Sequence, residues 1–199
     1  MPLPKNWATP EDFATLFQYF WHRDFPISKT AVAAKRTDWT IHIGVVVRQI
    51  GDLMGLVTRF EGGGRKDAVL RAMEGDEIAV EWEWSEKFGN ELEKLRDPKK
   101  IWKKNIEEKK SLRFAVLVTY TEEEIESKYK EVEHRWAGAD WPLLLILIVF
   151  DRTSEFHSGR KFKRINMSVF DSNRPRNNLR DALALPWDVA CSRWAEQKV

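Results

Sequence analysis

Apolar and polar residues follow one another with two different periods along this chain, and the change between them predicts where helices and strands lie. Residues 37–53 place apolar side chains at steps of three and four, which is the spacing of one helix face. Residues 10–21 repeat that spacing with aromatic side chains, after a Thr-Pro-Glu-Asp sequence at 9–12 that has the form of a capped helix start. Residues 77–84 alternate clearly instead, so we predict a strand there. Its apolar face carries Ile78, Val80, Trp82 and Trp84, and its other face carries Ala79, Glu81 and Glu83.

Further strands are predicted where short apolar or β-branched runs lie between glycine-rich or polar turns. They cover residues 56–61, 65–73, 112–119, 143–150 and 160–170. The runs at 112–119 and 143–150 are almost entirely apolar, as in central strands that are buried on both faces. Further helices are predicted at residues 28–35, 90–110 with a break at Asp97-Pro98, 125–136 and 188–196. Residues 173–180 are rich in Arg and Asn and are predicted to form a loop.

The order of these elements predicts the fold class. A helix, three strands, a helix and a fourth strand occupy residues 37–120 in the order αβββαβ, with an added helix and C-terminal strands after them. Helices that alternate with strands in this way favour an α/β fold, in which helices flank a mixed sheet. We therefore expect a single domain with a helical extension at 1–36, a core at 37–120, and a sheet extension with a basic segment at 121–199.

Three carboxylates on two neighbouring strands need a chemical explanation. Glu81 and Glu83 are two residues apart on one strand, so their side chains project from the same face and repel unless a cation lies between them. Asp67 opens the neighbouring strand, and a turn near Gly75 places it opposite roughly residue 83. The three groups can then converge on one point, and hard oxygen ligands suit Mg²⁺ or Mn²⁺. An acid-rich, solvated hairpin face is the alternative interpretation.

The arrangement of residues 38–119 resembles the PD-(D/E)XK, or restriction endonuclease-like, nuclease superfamily. Members of that superfamily have a helix, a three-stranded meander, a helix and a fourth strand. Their metal-binding Asp opens the second strand, and their (D/E)-x-K motif lies on the third. In this chain Lys66-Asp67 stands at the first motif and Glu81-Trp82-Glu83 at the second. Lys66 replaces the usual Pro, and Glu83 replaces the usual Lys, as in some type II restriction enzymes.

The resemblance implies metal-dependent hydrolysis of phosphodiester bonds, with DNA favoured over RNA and a role in restriction or genome defence. Asp67, Glu81 and Glu83 would hold Mg²⁺ or Mn²⁺ and form the catalytic centre. The missing motif lysine could be replaced by Lys87, which continues the alternation of the strand, or by Lys94 on the following helix. An ordinary surface position is the alternative for both lysines.

Two basic clusters are candidates for contact with nucleic acid, because Arg, Lys and Asn side chains bind phosphates and base edges. The candidate residues are Arg160, Lys161, Lys163, Arg174, Arg176 and Arg180. A solvated loop accounts for the second cluster equally well. The net charge of +2 excludes a uniformly basic surface but permits a local patch.

Composition narrows the remaining possibilities. The single cysteine, Cys191, excludes a disulfide within the chain and argues against a cysteine-based zinc site. The longest apolar run, residues 141–150, is half of the ~20 residues that a membrane-spanning helix needs. The N-terminus has no apolar signal-peptide segment, so we expect a cytoplasmic protein with no membrane partner. The oligomeric state is left open, with a homodimer as one candidate.

Two other hypotheses compete with an active nuclease. The absent motif lysine would permit a catalytically inactive protein of the same fold that binds nucleic acid or protein. The ten tryptophans, which we expect mainly in the core or at an interface, would also suit a structural or interaction module.

Overall fold

A computed structural model describes residues 8–26, 36–62, 65–73, 75–83, 88–97, 105, 107, 111–122, 125–152 and 160–190. These residues form an α/β fold in which four α-helices flank a seven-stranded mixed sheet. The α/β class and the mixed sheet that the sequence predicts are therefore confirmed. The element order from residue 36 to 121 is helix, three strands, helix, strand, as predicted.

The helices and strands lie close to their predicted positions. The helices are α1 Pro10–Arg23, α2 Arg36–Leu53, α3 Phe88–Arg96 and α4 Ile125–Trp136, and a 3₁₀ helix covers Pro186–Asp188. The strands are β1 Val57–Gly62, β2 Lys66–Ala72, β3 Gly75–Glu83, β4 Phe114–Thr121, β5 Leu143–Arg152, β6 Arg160–Asp171 and β7 Arg174–Leu183. The predicted helices at 28–35 and 188–196 lie wholly or largely outside the described residues, as does most of the second half of 90–110.

The strands lie in the sheet in their chain order, from β1 at one edge to β7 at the other. Strand β4 pairs in parallel with both β3 and β5, and the other neighbouring strands pair antiparallel. All eight residues of β4 are buried, which confirms the prediction of a central strand. The helices that connect the parallel strands, α3 and α4, cover one face of the sheet.

The two faces of the sheet build two hydrophobic clusters. The first joins α1 and α2 to the face that carries Val80, Val116 and Ile146. The second joins α3 and α4 to the opposite face, which carries Ala79 and Leu145. The alternation predicted for residues 78–83 is therefore confirmed, because Ile78, Val80 and Trp82 pack toward α2 while Ala79 packs toward α3. Glu81 lies on the α3 side of the sheet.

The N-terminal helix is held on the sheet by both its cap and its aromatic face. Thr9 and Asp12 form the predicted capping box at its start. The indole Nε1 of Trp21 donates a hydrogen bond of 2.8 Å to the backbone oxygen of Ala184, which follows β7. The first helix therefore packs against the last strand of the sheet.

Two predictions about individual segments are wrong. Residues 174–183 form the edge strand β7 rather than a loop; its polar residues are exposed on both sides, so the apolar alternation that marks a strand is missing. Pro175 fits an edge strand because such a strand can leave one side of its backbone unpaired. Leu53, the last apolar residue of the helical pattern at 37–53, does not lie on the buried face of α2: it is 64% exposed, because α2 ends there and the chain turns at Gly55. None of the described helices is long and apolar enough to cross a membrane.

Candidate active site

Asp67 and Glu81 lie on adjacent strands at the same level. Ala68 pairs with Val80, so the next position along the ladder places Asp67 across from Glu81. The sequence predicts position 83 as the partner of Asp67, which is wrong by two residues. The reason is that the hairpin turns between Ala72 and Gly75, earlier than expected, and the ladder shifts register after Leu70.

Glu81 is a buried carboxyl group on the α3 side of the sheet. Its side chain is fully buried, and Oε2 accepts no hydrogen bond from the described part of the chain. Its Oε1 lies 2.7 Å from Nζ of Lys94 in an ion pair. Burial raises the pKa of Glu81 to about 9, against the opposing effect of Lys94, and the negative charge of Asp67 raises it further.

Asp67 is oriented by the backbone of the neighbouring strand. Its Oδ2 accepts a hydrogen bond of 2.8 Å from the backbone N–H of Trp82. Burial raises the pKa of Asp67, while the hydrogen bond from the Trp82 backbone and a hydrogen bond with the Glu81 side chain act in the opposite direction. The two neighbouring carboxylates therefore both hold protons more tightly than usual, as expected of acids in a poorly solvated place with too little positive charge.

Helix α3 supplies the positive charge of the site. Phe88, Leu92 and Leu95 are buried at helical spacing and fix the helix against the sheet. Lys94, on the flank of that stripe, reaches Glu81 and also lies 3.3 Å from Oε2 of Glu91. Burial alone would lower the pKa of Lys94, but its hydrogen bond and charge interactions with Glu81 and Glu91 raise it.

Lys66 is a second amine beside the same cluster, and it stands at the sequence position that the motif gives to proline. Its side chain is fully buried. Burial lowers the pKa of Lys66 to about 8, while the charge of Glu81 is the largest influence in the opposite direction. The sequence contained a signal for this role. Lys66 precedes Asp67 on a strand that continues with three apolar residues, and a buried lysine needs a counter-charge nearby.

Glu83 does not join Asp67 and Glu81 in a three-carboxylate centre. The described residues contain no group of three or more His, Cys, Asp or Glu side chains placed to hold one metal ion. The predicted convergence of the three carboxylates is therefore not found. Because Asp67 lies across from Glu81, Glu83 extends two residues, roughly 7 Å, beyond that level. Glu83 and Asp67 both line a cavity of 170 Å³, to which Trp39, Ile43 and Trp82 also contribute.

The basic candidates differ in the contacts that their side chains make. Lys161, Lys163 and Arg174 are exposed, although Lys163 forms an ion pair with Asp151. Arg176 lies over the ring of Tyr129 at 4.2 Å and pairs with Glu126, so it faces α4. Arg180 donates to Thr15 Oγ1 at 2.6 Å and to Gln18 on α1, on the opposite face of the sheet. The side chain of Arg160 and the whole of Lys87 lie outside the described part of the structure.

Comparison of the chain with protein-family models, curated proteins and solved structures finds no match.

The pair Asp67 and Glu81 fits a hard divalent cation. Mg²⁺ is commonly held by one or two carboxylates together with water and substrate phosphate, so a third protein carboxylate is not required. The two acids have raised pKa values and their carboxyl groups hydrogen-bond each other, so they lie close enough to share one cation.

Proposed function

We propose that this protein is a metal-dependent nuclease of the restriction endonuclease-like, PD-(D/E)XK class, hydrolysing phosphodiester bonds in nucleic acid, with DNA favoured. The observation that carries the proposal is the buried carboxylate of Glu81, which lies across from Asp67 and 2.7 Å from Lys94. The proposal matches the PD-(D/E)XK motif residue by residue: Asp67 lies on the second strand and Glu81 on the third. The lysine, Lys94, comes from the following helix instead of the third strand.

Asp67 and Glu81 would hold the metal in this proposal. When bound, Mg²⁺ or Mn²⁺ polarises the scissile phosphate and lowers the pKa of a coordinated water. The Trp82 N–H keeps the Asp67 carboxylate in one orientation, which is the kind of support that improves metal affinity.

Lys94 would take the part of the motif lysine in the same proposal. Its ammonium group is already held at the carboxylate cluster by Glu81 and Glu91. A phosphate bound beside Glu81 would place its developing negative charge near that ammonium group, which stabilises the transition state. Glu83, at the edge of the neighbouring cavity, would act on the attacking water rather than on the metal shared by Asp67 and Glu81.

A second function is favoured by the same ion pair. Lys94 already neutralises part of the charge on Glu81, so the cluster can remain folded without metal. The protein would then be a catalytically inactive nuclease-fold module that binds nucleic acid or protein.

Cleavage assays separate the two functions. The full chain is incubated with supercoiled plasmid, linear duplex DNA, single-stranded DNA and RNA, each with Mg²⁺, with Mn²⁺ and with EDTA. The nuclease proposal expects metal-dependent cleavage that falls by about 100-fold or more in Asp67→Asn and in Glu81→Gln.

Glu77→Gln is the matched control. Glu77 is also a buried carboxylate on β3, and its Oε2 pairs with Arg113 at 2.6 Å, away from the proposed centre. Cleavage should survive in that variant. If the wild type cleaves nothing but Mn²⁺ binding depends on Asp67 and Glu81, the inactive module is the better description. If Mn²⁺ binding is also absent, the proposed metal centre and the nuclease fail, and only the inactive module, which needs no metal, is left.

A further inference from the structure

Exposed apolar side chains are concentrated where α2 lies beside the edge strand β1. Ile41 is 60% exposed, Val45 41% and Phe60 47%. These side chains are contiguous, because a Cβ placed on Gly44 would lie 3.6 Å from Cε1 of Phe60, and Gly44 stands between Ile41 and Val45 on the helix. A continuous apolar surface of this kind is typical of an interaction site.

The same stripe of α2 carries opposite charges at its two ends. Asp38, Ile41, Val45 and Arg48 follow at steps of three, four and three, so they lie along one side of the helix. Their order is acid, apolar, apolar, base. When a second copy of the helix runs antiparallel, Asp38 meets the partner's Arg48 and Ile41 meets the partner's Val45. Both pairs are centred on position 43, so the stripe is complementary to itself.

Strand β1 has the same symmetry about Phe60. Arg59 and Glu61 flank Phe60, and both are exposed. A two-fold axis that passes beside Phe60 would place Arg59 near the partner's Glu61. β1 is also an edge of the sheet, with no described strand on its outer side. Glu61 has a φ of 54°, which bends the strand, so this contact would use side chains rather than a continuous backbone ladder.

We propose that the chain forms a two-fold symmetric homodimer through the α2–β1 face. One axis, perpendicular to the sheet beside Gly44 and Phe60, satisfies the helix stripe and the strand together. Self-complementary charge favours a second copy over an unrelated protein, because an isologous contact requires each patch to match itself. The proposal does not depend on nuclease activity.

Sedimentation velocity of the full chain across the micromolar range tests the proposal. The wild type should sediment as a dimer. Val45→Glu places a charge at the centre of the interface and should raise the dimer dissociation constant by about 30-fold or more. Ile41→Ser is a second variant. Ile41 is more exposed than Val45, so its side chain is not needed for folding. Met73→Glu, at a residue that is 95% exposed, follows the end of β2 and lies outside the α2–β1 face, is the control and should leave the dimer intact.

Charge exchange tests the register of the helices. Asp38→Lys and Arg48→Glu should each weaken the dimer by about tenfold, because each brings like charges together across the axis. The double variant restores opposite charges at both contacts and should recover the wild-type dissociation constant. Far-UV circular dichroism confirms that each variant retains its helices.

Three results would overturn the proposal. A monomeric wild type means that another partner, or none, covers this face. A dimer that Val45→Glu and Ile41→Ser leave unchanged means that the interface lies elsewhere. A dimer that the single charge variants weaken but the double variant does not restore contradicts the antiparallel register.

Discussion

Nζ of Lys94 lies 2.7 Å from Oε1 of Glu81, joining the helix α3 to the strand that precedes it in the chain. The sequence places these residues thirteen positions apart, on different elements, and no local pattern connects them. The contact adds Lys94 to the two strand carboxylates Glu81 and Asp67. Together with Glu91 and Lys66, these residues form a compact charged cluster. In the proposed nuclease, Lys94 is therefore the residue that would take the part of the motif lysine.

The raised pKa of Glu81 predicts that the protein becomes less stable as the pH rises from 6.5 to 8. The folded-state pKa of Glu81 is about 9, above its ordinary value of 4.5, so the folded state binds the proton more tightly than the unfolded state. The free energy of unfolding contributed by Glu81 is therefore greatest below pH 4.5 and decreases toward pH 9, by at most about 1.4 kcal/mol per pH unit.

Other groups limit the window in which this effect is visible. The pKa of His42 is lowered to about 4 by burial, so His42 acts in the opposite direction below pH 6.5. The pKa of Lys66 is lowered to about 8, so Lys66 acts in the opposite direction above that pH. Urea unfolding at pH 6.5 and pH 8 measures the slope, which Glu81→Gln should reduce. Equal slopes in wild type and variant would mean that Glu81 is ionised throughout.

Removal of the Lys94 ammonium should separate cleavage from metal binding. Lys94→Met keeps much of the side-chain length but not the charge, so we expect a fall of about 100-fold in kcat with Mn²⁺, while Mn²⁺ affinity persists or increases. Lys130→Met, at an exposed position on α4, is the matched control. Unchanged cleavage in Lys94→Met would mean that another residue stabilises the negative charge that develops on the phosphate.

The fold could be predicted where burial imposes a regular pattern. The apolar runs of β4 and β5 indicate strands that are buried on both faces, and the alternation of β3 correctly separates Glu81 from Trp82. Strand β7 could not be predicted in this way because it is an exposed edge strand whose sequence carries no apolar period.

The site could be predicted only in part, because its geometry depends on features that sequence spacing does not fix. Asp67 and Glu81 are correctly placed on neighbouring strands, but their level depends on where the hairpin turns. The hairpin turn ends at Gly75, where β3 begins. Gly75 has a φ of 150° and lies close to Asn105, and both features depend on the tertiary structure rather than on the local sequence. The contact of Lys94 with Glu81 depends on the packing of α3, which the sequence locates but does not orient.

Gly75 is predicted to be intolerant of a side chain. A Cβ at this position would lie 2.6 Å from Oδ1 of Asn105, which accepts a hydrogen bond from the backbone N–H of Asp76. Gly75→Ala should therefore lower the free energy of unfolding by about 3 kcal/mol, through backbone strain and loss of the Asn105 hydrogen bonds. Gly138→Ala is the control: its φ is 72°, but the nearest atom to the new Cβ is 3.6 Å away, so only about 1 kcal/mol is expected. Urea unfolding measures both, and similar losses would contradict the part assigned to Asn105.

The basic residues of the C-terminal strands should differ in their effects on DNA binding. Lys161 and Arg174 are exposed, so Lys161→Ala and Arg174→Ala should each weaken binding and reduce the slope of log affinity against log salt by about 1. Arg180 is engaged by Thr15 and Gln18 on α1. Arg180→Ala should therefore lower stability by about 1 kcal/mol and leave the salt slope unchanged. Fluorescence anisotropy with labelled duplex DNA at several salt concentrations, with EDTA to prevent cleavage, measures the slopes. A larger loss of slope in Arg180→Ala than in Lys161→Ala would mean that Arg180 leaves α1 to contact phosphate, and the DNA path would then cross the α1 face of the sheet.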